Sequence, residues 1–141
     1  MHRLRLPIVI IAMIILAGCA SNQRRDSLTS TLNAYAATLR WGSFGHAEGF
    51  IDPAYRKVHP LTPLQMARYQ QVRVVGYDDG DGPVPVNQTE VQQVVKIGII
   101  NRHTQSERFV IDHQLWKWDA KAGRWWLETG LPDITRDPQQ P

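Results

Sequence analysis

Asp112 and His113 are the residues whose types come closest to acid–base chemistry, and they are neighbours in the sequence. Side chains alternate between the two faces of a strand, so the two residues lie on opposite faces. The face of His113 carries Phe109, Ile111 and Leu115, and the face of Asp112 carries Val110, Trp116 and Trp118. Each polar residue is therefore placed among apolar neighbours.

Neither residue is assigned a catalytic role on this pattern alone. A histidine on an apolar face can act as a general base with a tuned pKa. It is more often a histidine at the core edge with one satisfied hydrogen bond, which is the interpretation we prefer for His113. An unpaired buried carboxylate is costly, so we expect Asp112 to pair with an Arg or Lys on a neighbouring strand. His113 and Asp112 are weak catalytic candidates.

Possible metal ligands are also weakly supported. His46 and Glu48 are two residues apart, so they point in different directions on a helix, and Asp52 follows nearby. The segment 78–82, DDGDG, is rich in oxygen ligands, but the calcium-loop spacing places Tyr77 and Gln88 at essential ligand positions. We therefore expect a hairpin turn there, no metal site and no cofactor.

Four tryptophans lie on two adjacent predicted strands near the end of the chain. Trp116 and Trp118 share one strand face, whereas Trp125 and Trp126 lie on opposite faces of the next strand. Together with Tyr35 they could line a ligand pocket or a partner surface. The alternative is that they fill the core and the other face of the sheet.

The amino-terminal segment has the organisation of a secretory signal. Arg3 and Arg5 precede a ten-residue apolar run, 8–17, which is too short to cross a bilayer. The run ends in LAGC, residues 16–19, which resembles the lipobox of bacterial lipoproteins. The resemblance implies cleavage after residue 18 and lipidation of Cys19.

The resemblance also implies a location. Two or more acyl chains hold a protein stably at a membrane. Residues 20 and 21 are Ala and Ser, so the aspartate that commonly retains such lipoproteins at the inner membrane is absent. The lipobox therefore implies a lipid anchor in the outer membrane of a Gram-negative cell, facing the periplasm.

The composition fits one small domain. Removal of residues 1–18 leaves 123 of the 141 residues, with 14 basic and 13 acidic residues. A net charge of +1 gives no reason to expect binding to nucleic acid or to an anionic lipid surface. Cys19 is the only cysteine, so an internal disulfide is excluded.

Hydrophobic periodicity predicts helices followed by strands. A helix is expected from Asp26, which with Ser27 can cap it, to Gly42, followed by a short helix, a turn of helix after Asp52 and a helix started by Thr62, Pro63 and Gln65. After residue 71 the apolar period changes to two, which predicts four antiparallel strands joined by short turns. The expected fold class is α+β, with helices packed on one face of a curved antiparallel sheet.

Domain boundaries follow from the same pattern. We predict a lipidated tether over residues 19–25, an α+β domain over 26–131 and a flexible tail over 132–141, which holds three prolines and few apolar residues.

The order of elements, the segment FIDP (50–53) and the segment AGRWWLETG (122–130) are similar to those of NTF2-like (cystatin-like) domains. The resemblance implies a cone between helices and sheet, in which the enzymes of this family place a His, Asp or Tyr. Tyr35, Tyr55 and Glu128 could also face that cone. It further implies that the convex sheet face can form a homodimer.

Two functions are therefore expected as alternatives. The first is a non-enzymatic binding or envelope-assembly role, with an envelope protein or an apolar small molecule as partner. The second is a small pocket enzyme, isomerase- or dehydratase-like, that acts on an apolar ligand. An open cone with converging polar groups would favour the enzyme, and a filled cone would favour the binding role.

Overall fold

The first helix is the longest element of the chain. The computed structural model describes the backbone of residues 5–136 and the side chains of residues 20–136. Helix α1 spans Arg5–Trp41. Its predicted end is confirmed, since the Gly42 N–H donates to the Thr38 carbonyl at 2.9 Å. Tyr35 and Leu39 of the predicted apolar stripe are buried in the core.

The predicted start of this helix at Asp26 is wrong. Residues 20–25, predicted as an irregular tether, are helical and continuous with the rest of α1. Gln and Arg are good helix formers, so a segment without an apolar stripe can still extend a helix. The predicted signal peptide, 1–18, and the lipidation of Cys19 lie outside the residues whose side chains are described. Among the described residues, no helix combines the length and apolar character needed to cross a bilayer.

Three short helices follow, each begun by a side chain that caps it. The Ser43 hydroxyl accepts from the His46 N–H, Asp52 accepts from two N–H groups, and Thr62 forms the predicted capping box with Gln65. The helices are α2 (Phe44–Ala47, continued by a 3-10 turn over Glu48–Phe50), α3 (Pro53–Val58) and α4 (Pro63–Gln70).

The second half of the chain forms an antiparallel sheet curved into a half-barrel. Its strands are β1 (Val72–Asp78), β2 (Val84–Pro85), β3 (Glu90–Asn101), β4 (Glu107–Asp119) and β5 (Arg124–Leu127). The order is β1-β3-β4-β5, so the four predicted strands form a meander, and the predicted α+β class is confirmed. The two-residue β2, within a segment predicted as a turn, pairs with the start of β3.

The helices cover the concave face of this sheet, and the core lies between them. Alternate residues of β3 and β4 point into it, and they include Val95, Ile97, Val110 and Trp116. Sheet residues of the opposite phase point to the convex face.

The predicted flexible tail is wrong for its first residues. Pro132 and Ile134 are buried, and the Tyr69 hydroxyl donates to the Pro132 carbonyl at 2.9 Å. Arg108 also donates to the Ile134 carbonyl. A few apolar residues between prolines therefore suffice to hold this segment, whereas residues 137–141 lie outside the described part of the chain.

Candidate functional site

The concave face of the sheet carries a buried group of polar side chains, which we call the polar cluster: Tyr35, Tyr77, Gln93, Asp112 and Gln114. Asp112, Gln114 and Trp116 are alternate residues of β4 and point to the interior. Gln93 is the direct cross-strand partner of Gln114. Tyr35 reaches the cluster from α1, where it is fully buried.

Tyr77 enters the cluster because of a β-bulge. The pairing of β1 with β3 shifts between Val74 and Gly76, so three residues of β1 span two residues of β3. Val74 pairs with Ile99 and Tyr77 with Ile97, which both face the core. A bulge of this kind re-aims the side chains that follow it. Without it, strict alternation would turn Tyr77 to the convex face.

Gln114 is the centre of the hydrogen-bond network. Its Nε2 donates to Asp112 Oδ2 at 2.7 Å and to Tyr77 Oη at 3.2 Å. Its Oε1 accepts from Gln93 Nε2 at 3.0 Å and from Trp116 Nε1 at 3.1 Å. All four hydrogen-bonding positions of this amide are used, so Gln114 has one fixed orientation.

Two buried polar atoms of the cluster have no hydrogen-bond partner among the described residues: the Tyr35 hydroxyl and Gln93 Oε1. The Tyr35 ring is held edge-on by Trp116 and Phe50, with centroid distances of 5.2 and 5.4 Å. Buried polar groups without partners are rare in proteins and cost free energy. The two unpaired polar atoms therefore cost stability, and an apolar side chain could fill the same space without that cost.

Burial dominates the titration of the cluster. It raises the pKa of Asp112 from 3.8 to about 6, against the opposing effect of the Gln114 hydrogen bond. It raises the pKa of Tyr77 to about 12 and that of Tyr35 well above its usual value of 10.0. A carboxyl group that changes charge near pH 6 can donate or accept a proton at physiological pH.

The predicted pairing of Asp112 with an Arg or Lys is wrong. Its hydrogen-bond partner is the Gln114 amide, and no ion pair among residues 20–136 involves it. The alternation signal was present in the sequence, since Gln93 lies in phase with Val91 and Val95, and Gln114 in phase with Asp112. Gln114 takes the place expected for a cation beside Asp112, and Gln93 in turn donates to Gln114.

His113 is exposed and lies on the convex face, away from the cluster. Its direct cross-strand partner is Val94, also exposed. The predicted placement at a core edge is therefore wrong, because helices cover only the other face. Tyr55 also lies outside the cluster, donating to the Thr129 carbonyl at 3.4 Å and stacking on His59. Glu128 follows β5, where its N–H donates to the Leu115 carbonyl at 2.8 Å, and burial raises the pKa of its carboxyl group.

The four tryptophans divide between the core and the other sheet face. Trp116 and Trp125 are buried, and Trp118 packs against the Trp125 ring with centroids 5.6 Å apart. Trp126 is half-buried on the opposite face, where the Arg124 guanidinium lies 3.8 Å from its ring centroid. Trp116, Trp125 and Tyr35 therefore belong to the core.

The weaker metal candidates serve as caps and turns. His46 Nδ1 lies 3.1 Å from the Ser43 hydroxyl, and Asp52 caps α3. Asp78 accepts from the Gly80 N–H, and Gly80 and Gly82 have the positive φ that such a turn requires. Within the described part of the chain, no three His, Cys, Asp or Glu residues are placed to hold a metal.

The convex face carries a second notable feature, a group of exposed apolar residues that we call the convex patch: Val75, Val94, Phe109 and Ile111. Their side chains are 38–52% exposed. Phe109 pairs with Gly98, and a Cβ built on Gly98 would lie 3.5 Å from Val75 Cγ2. Val75, Gly98 and Phe109 therefore form one row across β1, β3 and β4. Lys96 lies 4.4 Å from the Phe109 ring centroid.

Cavities of about 210 to 600 Å³ lie among the described residues, and Tyr77, the half-buried member of the polar cluster, lines one of about 540 Å³. Gln93, Asp112 and Gln114 are buried. Comparison of the chain with protein-family models, with curated proteins and with solved structures found no match.

Proposed function

We propose that this chain is a lipid-anchored protein whose small NTF2-like domain has a non-enzymatic binding or envelope-assembly role on the periplasmic side of the outer membrane. The observation that carries the proposal is the contrast between the two faces of the sheet. The polar cluster on the concave face is packed between the sheet and the helices, whereas the convex face leaves apolar side chains in water.

The filled interior supports a binding role because a pocket enzyme must admit its substrate. The helices cover the concave face, and Tyr35 and Trp116 are fully buried beneath them. The side-chain amide of Gln93 donates a hydrogen bond to that of Gln114. Ligand-binding sites are concave and largely pre-formed in most proteins.

The convex patch supports assembly through that face. Contiguous exposed apolar surface on a small domain marks interaction sites. Lys96 and His113 lie on the same face as the direct cross-strand partners of Ile111 and Val94, so the patch combines apolar side chains with polar groups. We propose a second copy of the chain as its partner, in a two-fold homodimer.

The anchor rests on the LAGC segment alone. A lipidated Cys19 would place the domain close to the bilayer, since α1 continues from residue 20 into the core without an intervening loop. The proposed location at the outer membrane follows from Ala20 and Ser21.

A second candidate function, a small pocket enzyme, is favoured by one observation. Asp112, Tyr77 and Tyr35 converge in the interior, and the pKa of Asp112 is raised to about 6. An isomerase or dehydratase activity that disappears in Asp112→Asn would establish this alternative.

The experiment that tests the binding proposal is co-purification of two differently tagged copies of the full chain from neutral detergent. We expect the wild-type copies to co-purify. The double substitution Val94→Lys with Ile111→Lys places two charges in the patch and should reduce co-purification about ten-fold. The control is Val58→Lys with Leu64→Lys, which changes two exposed apolar residues on α3 and α4.

Retention of the pair in the control and its loss in the patch variant would support the proposal. A wild-type chain that does not self-associate, or a patch variant that still does, would overturn the homodimer.

A further inference from the structure

A groove of about 600 Å³ runs between α1 and the segment around β2, at the end of the domain nearest Cys19. Its apolar surface comes from Leu28 of α1, Val91 of β3 and Trp125 of β5. Pro83 and Pro85 also line it. A groove of this size can hold a ligand as large as a typical small-molecule drug.

Two arginines of α1 line the same groove, and Arg24 is held in place. Its Nη1 donates to the Gln88 carbonyl at 3.0 Å, and its guanidinium lies 5.7 Å from the Trp118 ring centroid. Trp125 Nε1 donates to the Arg24 carbonyl at 3.2 Å. These contacts fix the guanidinium without neutralising its charge.

Arg24 and Arg25 form no ion pair within residues 20–136. The ion pairs formed within residues 20–136 are Lys117 with Glu90 and Arg136 with Asp133, and neither involves these arginines. Arg25 is exposed at the same edge. Two arginines that line an apolar groove complement a ligand with an anionic head and an apolar body.

We infer that this groove binds an anionic phospholipid, with the phosphate at Arg24 and Arg25 and an acyl chain against Leu28 and Trp125. The choice of a membrane lipid rests on the proposed function, because a lipidated Cys19 would hold the groove at the bilayer surface. Ser21, two residues after Cys19, is one of the residues that line it. Indole rings with one polar edge are also well suited to the membrane interface.

The net charge of +1 that is expected after removal of residues 1–18 does not indicate this site, because acidic residues elsewhere offset the local pair. Arginine recognises phosphate with two parallel hydrogen bonds, so the expected specificity is for the headgroup charge. A neutral phospholipid offers the same acyl chains and a phosphate whose charge is balanced within the headgroup.

The test is native mass spectrometry of the full chain in neutral detergent with equimolar phosphatidylglycerol and phosphatidylcholine. We expect the phosphatidylglycerol adduct to exceed the phosphatidylcholine adduct about ten-fold. Arg24→Gln with Arg25→Gln should make the two adducts equal. The matched control, Arg40→Gln with Arg68→Gln, removes the same charge outside the groove and should keep the preference.

Equal adducts in the wild type, or an unchanged preference in the Arg24 and Arg25 variant, would overturn the inference. Displacement of phosphatidylglycerol by an equal concentration of tetraglutamate would assign the groove to acidic peptides instead. The lipid preference does not depend on whether the homodimer forms, because the homodimer is tested separately by co-purification. It is also independent of Cys19 processing, because the preference is a ratio between two lipids added to the same protein.

Discussion

Asp112 lowers the stability of the folded protein at neutral pH. The folded protein holds its proton up to about pH 6, whereas the unfolded chain releases it near 3.8. The folded state therefore binds more protons between these values, and the free energy of unfolding falls as the pH rises through them. This difference in pKa corresponds to a destabilisation of the folded state by about 3 kcal/mol. The destabilisation applies in full above pH 6 and disappears below pH 3.8.

The first prediction is that Asp112→Asn stabilises the protein at pH 7.5 by about 1–3 kcal/mol, because the amide carries no charge and can still accept from Gln114. At pH 4 the two proteins should have nearly equal urea midpoints. The exposed Asp81→Asn should change the midpoint little at either pH. An Asp112→Asn protein no more stable than wild type at pH 7.5 would show that the buried charge is compensated.

The second prediction compares two tyrosine hydroxyls. Tyr35 donates to no described residue, whereas Tyr69 donates to the Pro132 carbonyl. Tyr35→Phe should therefore leave the free energy of unfolding unchanged or raise it by about 1 kcal/mol. Tyr69→Phe should lower it by about 1–2 kcal/mol, because a buried carbonyl loses its donor.

Urea unfolding of both variants measures the difference. Hydrogen exchange adds a local readout, since loss of the Tyr69 bond should speed exchange in the segment around Pro132. Equal destabilisation by the two substitutions would mean that the Tyr35 hydroxyl has a hydrogen-bond partner in solution.

At the scale of elements, β4 and β5 carry tryptophans on both faces of the sheet. Trp116 is fully buried on one side, and Trp126 is half-buried on the other. The third prediction is that Trp116→Ala lowers the free energy of unfolding by about 3–5 kcal/mol, the usual cost of removing a buried large side chain. Trp126→Ala should cost about 1 kcal/mol, since it loses partial packing and the hydrogen bond that Trp126 Nε1 donates to Asp119 Oδ2 at 3.3 Å.

Urea midpoints of the single variants test this difference, and the mass of each variant in detergent tests its effect on assembly. Equal losses of stability would place Trp126 in the core. Negligible losses in both would mean that the hairpin of β4 and β5 contributes little to folding.

Most elements were predictable because their signals are local. The capping box at Thr62, the glycine after α1 and the alternation along β3 and β4 each depend on a few neighbouring residues. The extension of α1 before Asp26 was missed because polar helix formers show no apolar period. The short β2 was missed because its pairing with β3 is set by tertiary structure.

The polar cluster could be predicted only in part. Alternation places Asp112 inside, but the arrival of Tyr77 depends on the bulge between Val74 and Gly76. No local signal marks that register shift. The groove at Arg24 was equally hidden, because it joins α1 to residues of three strands far along the chain.

At the scale of the whole molecule, the domain folds without an internal disulfide, since Cys19 is the only cysteine. Burial must therefore supply its stability, and the core extends from α1 to Ile134. The convex patch and the groove are both open to solvent, and the groove lies near the start of the domain, close to Cys19. The proposed anchor would determine which of these surfaces meets the bilayer and which meets a partner.

The fourth prediction concerns that anchor. Cys19→Ala removes the sulfur to which a lipid would be attached, while the residues of the core are unchanged. We expect the wild-type protein, expressed in Gram-negative cells, to be processed at Cys19 and to fractionate with the outer membrane. The Ala variant should remain unprocessed or should appear in the soluble fraction, because one signal segment without acyl chains cannot provide a stable mature anchor.

Ser21→Ala is the matched control, since it alters a small residue next to the same site without removing the sulfur. Immunoblots of membrane and soluble fractions report location, and the mass of the mature amino terminus reports acylation. A Cys19→Ala protein that is cleaved normally and stays in the membrane fraction would show that the LAGC segment does not direct lipidation. Loss of the Cys19→Ala protein from the membrane fraction, with retention of the Ser21→Ala protein, would show that the acyl chains on Cys19 hold the domain at the membrane.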